Sequence, residues 1–240
     1  MAVLVLVLAG GAWWWFASRT NADYKAQLTA VTTVIKKDIT EKNTAFEQLA
    51  KEADSAKSAQ ALQQLEDSLK QSAERLPPLP SLLGIGVSSQ DDTSHRSQLA
   101  QRLKALAQDL QVSRELLQYS RSVTTILQEV TLKTGASADQ QKALAEAWQT
   151  TIDKLKALTP PQPITQLHSQ IIAIATKVQT GIAVLPELFN KKDIPGFAAK
   201  QKEIETYISE LRNMSPGIVD TLVSQDKTIG QGYHELSRLL

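Results

Sequence analysis

The chain opens on an uninterrupted apolar run, Met1 to Phe16, closed by Trp13, Trp14, Trp15 and Phe16, with Arg19 as the first charge. A hydrocarbon core of about 30 Å takes roughly 17 to 25 apolar residues as helix, so the run sits at the lower limit for a span. Its aromatic cluster suits the headgroup level. Beyond it the pattern becomes amphipathic. From Tyr24, apolar residues recur in three- and four-residue steps at Leu28, Val31, Ile35, Ile39, Phe46, Leu49 and Ala53, and resume at Leu62, Leu65, Leu69 and Leu76. This predicts one long helix, or two in line. Pro77, Pro78 and Pro80 then remove donors and restrict their predecessors, and Gly84 and Gly86 loosen a loop that runs to about Asp92.

Thr93 or Ser94 can cap the next helix, whose first stripe is Leu99, Leu103, Leu106 and Leu110. Val112, Leu116, Tyr119, Val123, Ile126 and Val130 form a second stripe, offset from the first, and two stripes imply two neighbours. This helix is expected to end near Lys133 at Gly135. Ser137 caps a third helix carrying Leu144, Trp148, Ile152, Leu155 and Leu158, which Thr159-Pro160-Pro161-Gln162-Pro163 terminates. Ile164, Leu167, Ile171, Ile174, Val178, Ile182 and Leu185 mark a fourth, kinked or ended by Pro186. Asp193 caps a fifth with Pro195 in its first turn and Phe197, Ile204, Ile208 and Leu211 on its buried side. A last helix starts at Ser215-Pro216, follows Ile218, Leu222, Ile229, Tyr233, Leu236 and Leu240, and is weakened by Gly230 and Gly232.

The expected fold class is all-α: an N-terminal transmembrane helix, then an elongated bundle of long, coiled-coil-like helices. Three regions follow: an anchor over 1–18, long helices over 19–133 with a Pro/Gly loop near 77–92, and a helical-hairpin bundle over 137–240. Composition agrees, since a 42% hydrophobic fraction supports a core and Gly, Phe and Tyr are scarce. A net charge of +1 and basic runs no longer than Lys36-Lys37 or Lys191-Lys192 give no field that gathers nucleic acid.

Three readings of the apolar start compete. A cleaved signal peptide finds a small-residue site in Gly10, Gly11 and Ala12 but no basic residue ahead of the run. A lipoprotein needs a cysteine, and the chain has none. An uncleaved anchor with Trp13, Trp14, Trp15, Phe16 and Arg19 at the membrane interface accounts for the aromatics best. Orientation is less direct. Arg19, Lys25, Lys36 and Lys37 follow the run and would hold the body in the cytoplasm. Met1, however, enters the run with no flank, the pattern of a mis-assigned start or a lost basic leader, and an extracytoplasmic body is the preferred expectation.

Candidate chemistry is sparse. His95, His168 and His234 lack a second ligand at i+3 or i+4, apart from Asp91 and Asp92 ahead of His95, and those acids read more simply as a helix start. There is no Gly-x-Ser-x-Gly elbow and no phosphate-binding Gly loop. Glu203, Glu205 and Glu210 are interleaved with Lys200, Lys202 and Arg212 as on a solvated helix face. The Ile171–Leu185 run is short for a span and carries Lys177, Gln179 and Thr180, so it reads as a core helix. The prolines read as turn-formers before partner ligands. Trp148, the one body tryptophan, fills the core or walls a ligand pocket. No metal, cofactor or catalytic residue is expected.

One set of segments resembles something familiar. Leu155-Lys156-Ala157-Leu158-Thr159-Pro160-Pro161, then Leu167-His168, then Lys192-Asp193-Ile194-Pro195-Gly196-Phe197 is similar to a pattern in a loose group of uncharacterised bacterial membrane-anchored helical-bundle envelope proteins. Arg75-Leu76-Pro77-Pro78-Leu79-Pro80 with Leu82-Leu83-Gly84 resembles a segment of the same group. These are turn and packing signals, so the resemblance implies topology and location rather than a reaction. The expected function is non-catalytic: an interaction or scaffold protein of the bacterial cell envelope. Its partners would be the bilayer, through the first helix, an envelope protein or the cell wall, and further copies of itself, with no nucleic acid. The alternative is a sensor-like bundle binding a small ligand near Trp148.

Overall fold

A computed structural model of the 240-residue chain describes residues 2–49, 55–79, 81–82, 85–86, 90–130 and 137–240, leaving aside the side chains of 2–17, 55–56, 81–82, 85–86, 90 and 215. The described chain is all-helical except for one two-residue antiparallel pair: α1 (Ala2–Leu49), α2 (Ser55–Glu74), β1 (Ser81–Leu82), β2 (Ile85–Gly86), α3 (Gln90–Gln128), α4 (Ala138–Ala157), α5 (Thr165–Asn190), α6 (Ile194–Asn213) and α7 (Ser215–Leu239). A 3-10 turn, Gln162–Ile164, leads into α5. β1 and β2 pair Ser81 with Gly86 and Leu82 with Ile85 inside the Pro/Gly loop.

Two compact units emerge. Unit 1 comprises 1–111 and Asp226–Leu240, and unit 2 comprises Val112–Gln225. The division falls inside α3 rather than near 133–137, and the end of α7 belongs to the first unit. This differs from the expected split into 19–133 and 137–240. It does coincide with the offset between the two α3 stripes: Leu99, Leu103, Leu106 and Leu110 are buried in unit 1, Leu116, Tyr119 and Val123 in unit 2.

In unit 1 the stripe of α1 (Tyr24, Leu28, Ile35, Ile39, Phe46) and that of α2 (Leu62, Leu65, Leu69) are both buried. The in-line alternative for these two stripes is corrected by a side-chain bond. Ser68 Oγ donates to Asp38 Oδ2 at 3.0 Å, and Ser72 Oγ to the same oxygen at 3.3 Å. On one straight helix, thirty residues would separate Asp38 from Ser68 by about 45 Å. The two helices therefore lie side by side as a hairpin, whose connection, including Ala53, is outside the described residues. The end of α7 completes the core with Ile229, Tyr233 and Leu236; Phe46 and Tyr233 pack with ring centroids 6.0 Å apart. At Gly232 a Cβ would stand 2.9 Å from Leu106 Cδ1, so the glycine allows α7 to approach α3.

Unit 2 is built around α5. Its Ile171, Ile174, Ala175, Val178, Ile182 and Leu185 join Ala145, Trp148, Ile152 and Leu155 of α4 and Ile204, Ile208 and Leu211 of α6 in one buried cluster. Gly181 lets α5 approach α6, since a Cβ there would meet Ile204 Cγ1 at 2.8 Å. α4 starts with a capping box: Gln140 N donates to Ser137 Oγ, and Ser137 N donates to Gln140 Oε1. α5 continues through Pro186, which does not end it, to Asn190.

One start signal moves. α3 begins at Gln90, so Thr93 and Ser94 lie within its first turns instead of capping it, and Asp91 and Asp92 occupy the positive end of the helix dipole. The expected stop at Lys133 and Gly135 lies outside the described residues, α3 being described to Gln128.

Candidate functional site

Trp148, the aromatic singled out by sequence, is 4% exposed and forms part of the unit 2 core. Its indole Nε1–H has no hydrogen-bond partner. A buried, unmatched donor of this kind costs roughly 1–3 kcal/mol. One turn of α4 further on, the Thr151 hydroxyl donates to the Ala147 carbonyl at 3.0 Å and is satisfied locally.

The same unit holds a polar pair that periodicity did not reveal as a pair. Tyr119 on α3 and His168 on α5 are both buried, and Tyr119 Oη lies 2.8 Å from His168 Nδ1 with the rings edge-on at 5.8 Å. Desolvation pushes the Tyr119 phenol up to about 12, so it keeps its proton and donates. Desolvation also lowers the His168 pKa, favouring the neutral ring whose Nδ1 accepts. His168, which the sequence offers only as a histidine without a second ligand, thus bonds a residue of a different helix. Tyr119 was visible only as one apolar position in a stripe.

Unit 1 carries its own polar interior. Besides Asp38 with Ser68 and Ser72, the hydroxyls of Tyr24 and Tyr233 and Asn21 Oδ1 are buried without partners. Burial raises the Tyr24 pKa, and burial with the nearby Asp38 charge raises that of Tyr233. Open grooves flank these positions. One of about 640 Å³ runs between α1 and α2, with Asp38, Lys42, Asp67, Lys70 and Arg75 on its walls. Another, of about 430 Å³ between α3 and α7, is bridged by the Arg102–Glu235 ion pair at 2.7 Å and also lined by Gln98, Gln101 and Arg238. The first groove carries three acids and three bases, and the second two arginines, one of them paired with Glu235.

The remaining polar candidates are dispersed. Among the described residues no group of three or more His, Cys, Asp or Glu side chains is placed to hold a metal. His234 is exposed and His95 half-buried. On α6, Lys200 pairs with Glu203 at 2.5 Å, Tyr207 Oη donates to Glu203 Oε1 at 2.9 Å, and Lys177 of α5 sits 5.2 Å from the Tyr207 ring centre. The Lys200 and Tyr207 hydrogen bonds lower the Glu203 pKa, and Glu203 raises that of Tyr207. This is a paired helix face. Each proline segment contributes a buried ring, Pro77 and Pro161, and the Pro77 carbonyl accepts from Arg96 Nε at 3.1 Å.

At the N-terminal end, α1 is helical from Ala2, and Arg19 is exposed; the side chains of Trp13, Trp14, Trp15 and Phe16 lie outside those described. Among the described residues, one helical stretch, Gln162–Asn190, is long and apolar enough to cross a membrane by length and composition. Its apolar stripe is packed in the unit 2 core against α4 and α6, as a core helix requires.

Comparison of the chain with protein-family models, curated proteins and solved structures returned no match.

Proposed function

We propose that this chain is a membrane-anchored, non-catalytic helical scaffold of the bacterial cell envelope, held by its first helix, with its body outside the cytoplasm. One observation carries the reading: α1 runs without a break from Ala2 to Leu49, joining the Met1–Phe16 apolar run to the first buried positions of unit 1, Tyr24, Leu28, Ile35, Ile39 and Phe46. An anchor continuous with a core helix fixes the bundle with respect to the bilayer, which suits a protein acting through its surfaces. The spread of paired charges in place of a converging polar site agrees with that role.

Membrane fractionation with protease treatment of intact cells tests it. The protein should resist alkaline carbonate, and external protease should remove 24–240. Extraction into the soluble fraction would overturn the anchor; a body protected until lysis would reverse the orientation and make Arg19, Lys25, Lys36 and Lys37 its cytoplasmic flank. A second reading, a ligand-binding sensor bundle, is favoured by the unmatched indole N–H of Trp148. A ligand carrying a hydrogen-bond acceptor would then shift Trp148 emission across a metabolite panel, and a uniform spectrum would set that reading aside.

A further inference from the structure

Unit 1 places its α2–α3 connection at the end from which the apolar run arrives. The bonds from Ser68 and Ser72 to Asp38 fold α2 back along α1, so α2 ends towards the start of the chain. α3 begins beside Tyr24, whose hydroxyl feels burial first and then the Arg96 and Asp92 charges. Arg96 Nε ties the two helix ends together by donating to the Pro77 carbonyl at 3.1 Å. Further along α1 and α3 stands α7, with Tyr233 against Phe46 and Gly232 against Leu106. The β1–β2 hairpin, lying between α2 and α3, is therefore held at the Tyr24 end of the unit. About 12 Å of α1 separates Tyr24 from Phe16. Gly86 precedes Gln90 by a reach of up to about 13 Å, enough to bring the hairpin level with Phe16.

The sequence of this connection departs from the rest of the chain. From Leu76 to Gln90 it carries no charged residue, although 21% of the chain is charged, and it includes Leu79, Leu82, Leu83, Ile85 and Val87. Leu79 is 47% exposed. Its backbone also offers few donors that need water: Pro77, Pro78 and Pro80 have no N–H, and β1 and β2 pair Ser81 with Gly86 and Leu82 with Ile85. Both properties lower the cost of leaving water for the boundary of a bilayer, where unpaired backbone groups are expensive. We propose that Leu79 and the β1–β2 hairpin are a second membrane contact of unit 1, resting in the headgroup region of the bilayer that α1 enters; the proposal rests on the anchor reading above. Continuity selects this occupant, because a bilayer that receives Met1–Phe16 lies within the hairpin's reach at this end of the unit. With no Lys or Arg inside it, the segment draws on apolar burial and not on anionic lipid. A single helix leaves unit 1 free to turn about the α1 axis, and a second contact fixes which of its faces looks along the membrane.

The absence of cysteine from the chain makes the test direct. Leu79→Cys and, as a control, Gln63→Cys, exposed on α2 and about 16 Å of helix from Glu74, are introduced singly into the full chain and labelled with an environment-sensitive fluorophore. The protein is reconstituted in phosphatidylcholine vesicles containing lipid spin-labelled near the headgroup. The label at 79 should be quenched about fivefold more than that at 63, with no requirement for anionic lipid. Leu82→Asp with Ile85→Asp should return position 79 to the control level while circular dichroism keeps its helical signal. Equal quenching at 79 and 63 would overturn the proposal, as would quenching at 79 that survives the two aspartates. A blue-shifted label at 79 that spin-labelled lipid does not quench would overturn it in favour of a protein cover. Carbonate extraction of the same vesicles separates the two readings: retention with position 79 unquenched defeats the hairpin contact alone, while release of a chain whose position 79 was quenched defeats the anchor alone.

Discussion

Replacing Tyr119 by Phe removes the donor to His168 Nδ1 while keeping the ring that fills the cluster between α3 and α5. The lost bond leaves a buried imidazole nitrogen unmatched, which costs roughly 1–3 kcal/mol. The pH dependence is the sharper consequence. Burial lowers the folded His168 pKa below its ordinary 6.5, so the unfolded chain binds the proton more tightly. Stability from this residue is therefore fully present above about pH 6.5 and is lost as pH falls towards the folded pKa, with a slope of at most about 1.4 kcal/mol per pH unit. The Tyr119 hydroxyl favours the neutral ring by donating to the lone pair that would take the proton. Without it the folded pKa rises, and Tyr119→Phe should be less stable at pH 8 but lose less further stability on acidification. Urea unfolding between pH 5.5 and 8, followed by Trp148 emission with Trp13, Trp14 and Trp15 replaced by Phe, reads unit 2 while most carboxylates stay ionised. His168→Leu should remove this acid-sensitive component, and the double variant should cost less than the sum of the singles by roughly 1 kcal/mol, because neither polar group is then left alone. Additive losses, or an unchanged acid slope in Tyr119→Phe, would refute the coupling.

Three further outcomes follow from the packing. Gly230 has open space around its missing Cβ and Gly232 does not, so Gly230→Ala should stabilise unit 1 by about 0.5–1 kcal/mol, whereas Gly232→Ala should lose that gain by crowding the buried Leu106; paired denaturation curves compare them. Lys192 adopts φ 58 just past the C-cap of α5, a left-handed conformation that glycine accepts freely, and Lys192→Gly should raise unit 2 stability by about 1 kcal/mol in urea titrations. Asp38→Ala strips the acceptor from two serines, one of them nearly inaccessible, and should cost unit 1 about 1–3 kcal/mol, with faster amide exchange in α2 as the local signature.

What the sequence discloses here depends on how local the cause is. The Ser137 capping box and the Asp193 cap are settled within four residues, and the structure places both where those residues indicate. The buried stripes are nearly as direct, because three- and four-residue spacing sets which side of a helix meets a core. Even the boundary between the units left a trace, in the change of face on α3 between Leu110 and Leu116. Periodicity cannot state which helix a stripe meets. The α1 and α2 stripes read alike whether the helices continue in line or fold back, and the bonds from Ser68 and Ser72 to Asp38 that decide the matter join residues that sequence offers only as ordinary polar positions.

The same limit governs Tyr119 and His168. One was an apolar step and the other a histidine without a second ligand, and their pairing exists only because α3 and α5 meet in unit 2. The α5–α6 tip shows the converse. Lys192-Asp193-Ile194-Pro195 spells out a helix stop and start so clearly that its apolar residues pass as part of the punctuation. Only the exposure of Phe189 and Ile194 separates what the turn needs from what it does not. The cap accounts for Asp193 and Gly196 and the first turn tolerates Pro195, while Ile194, the first residue of α6, stays 76% exposed.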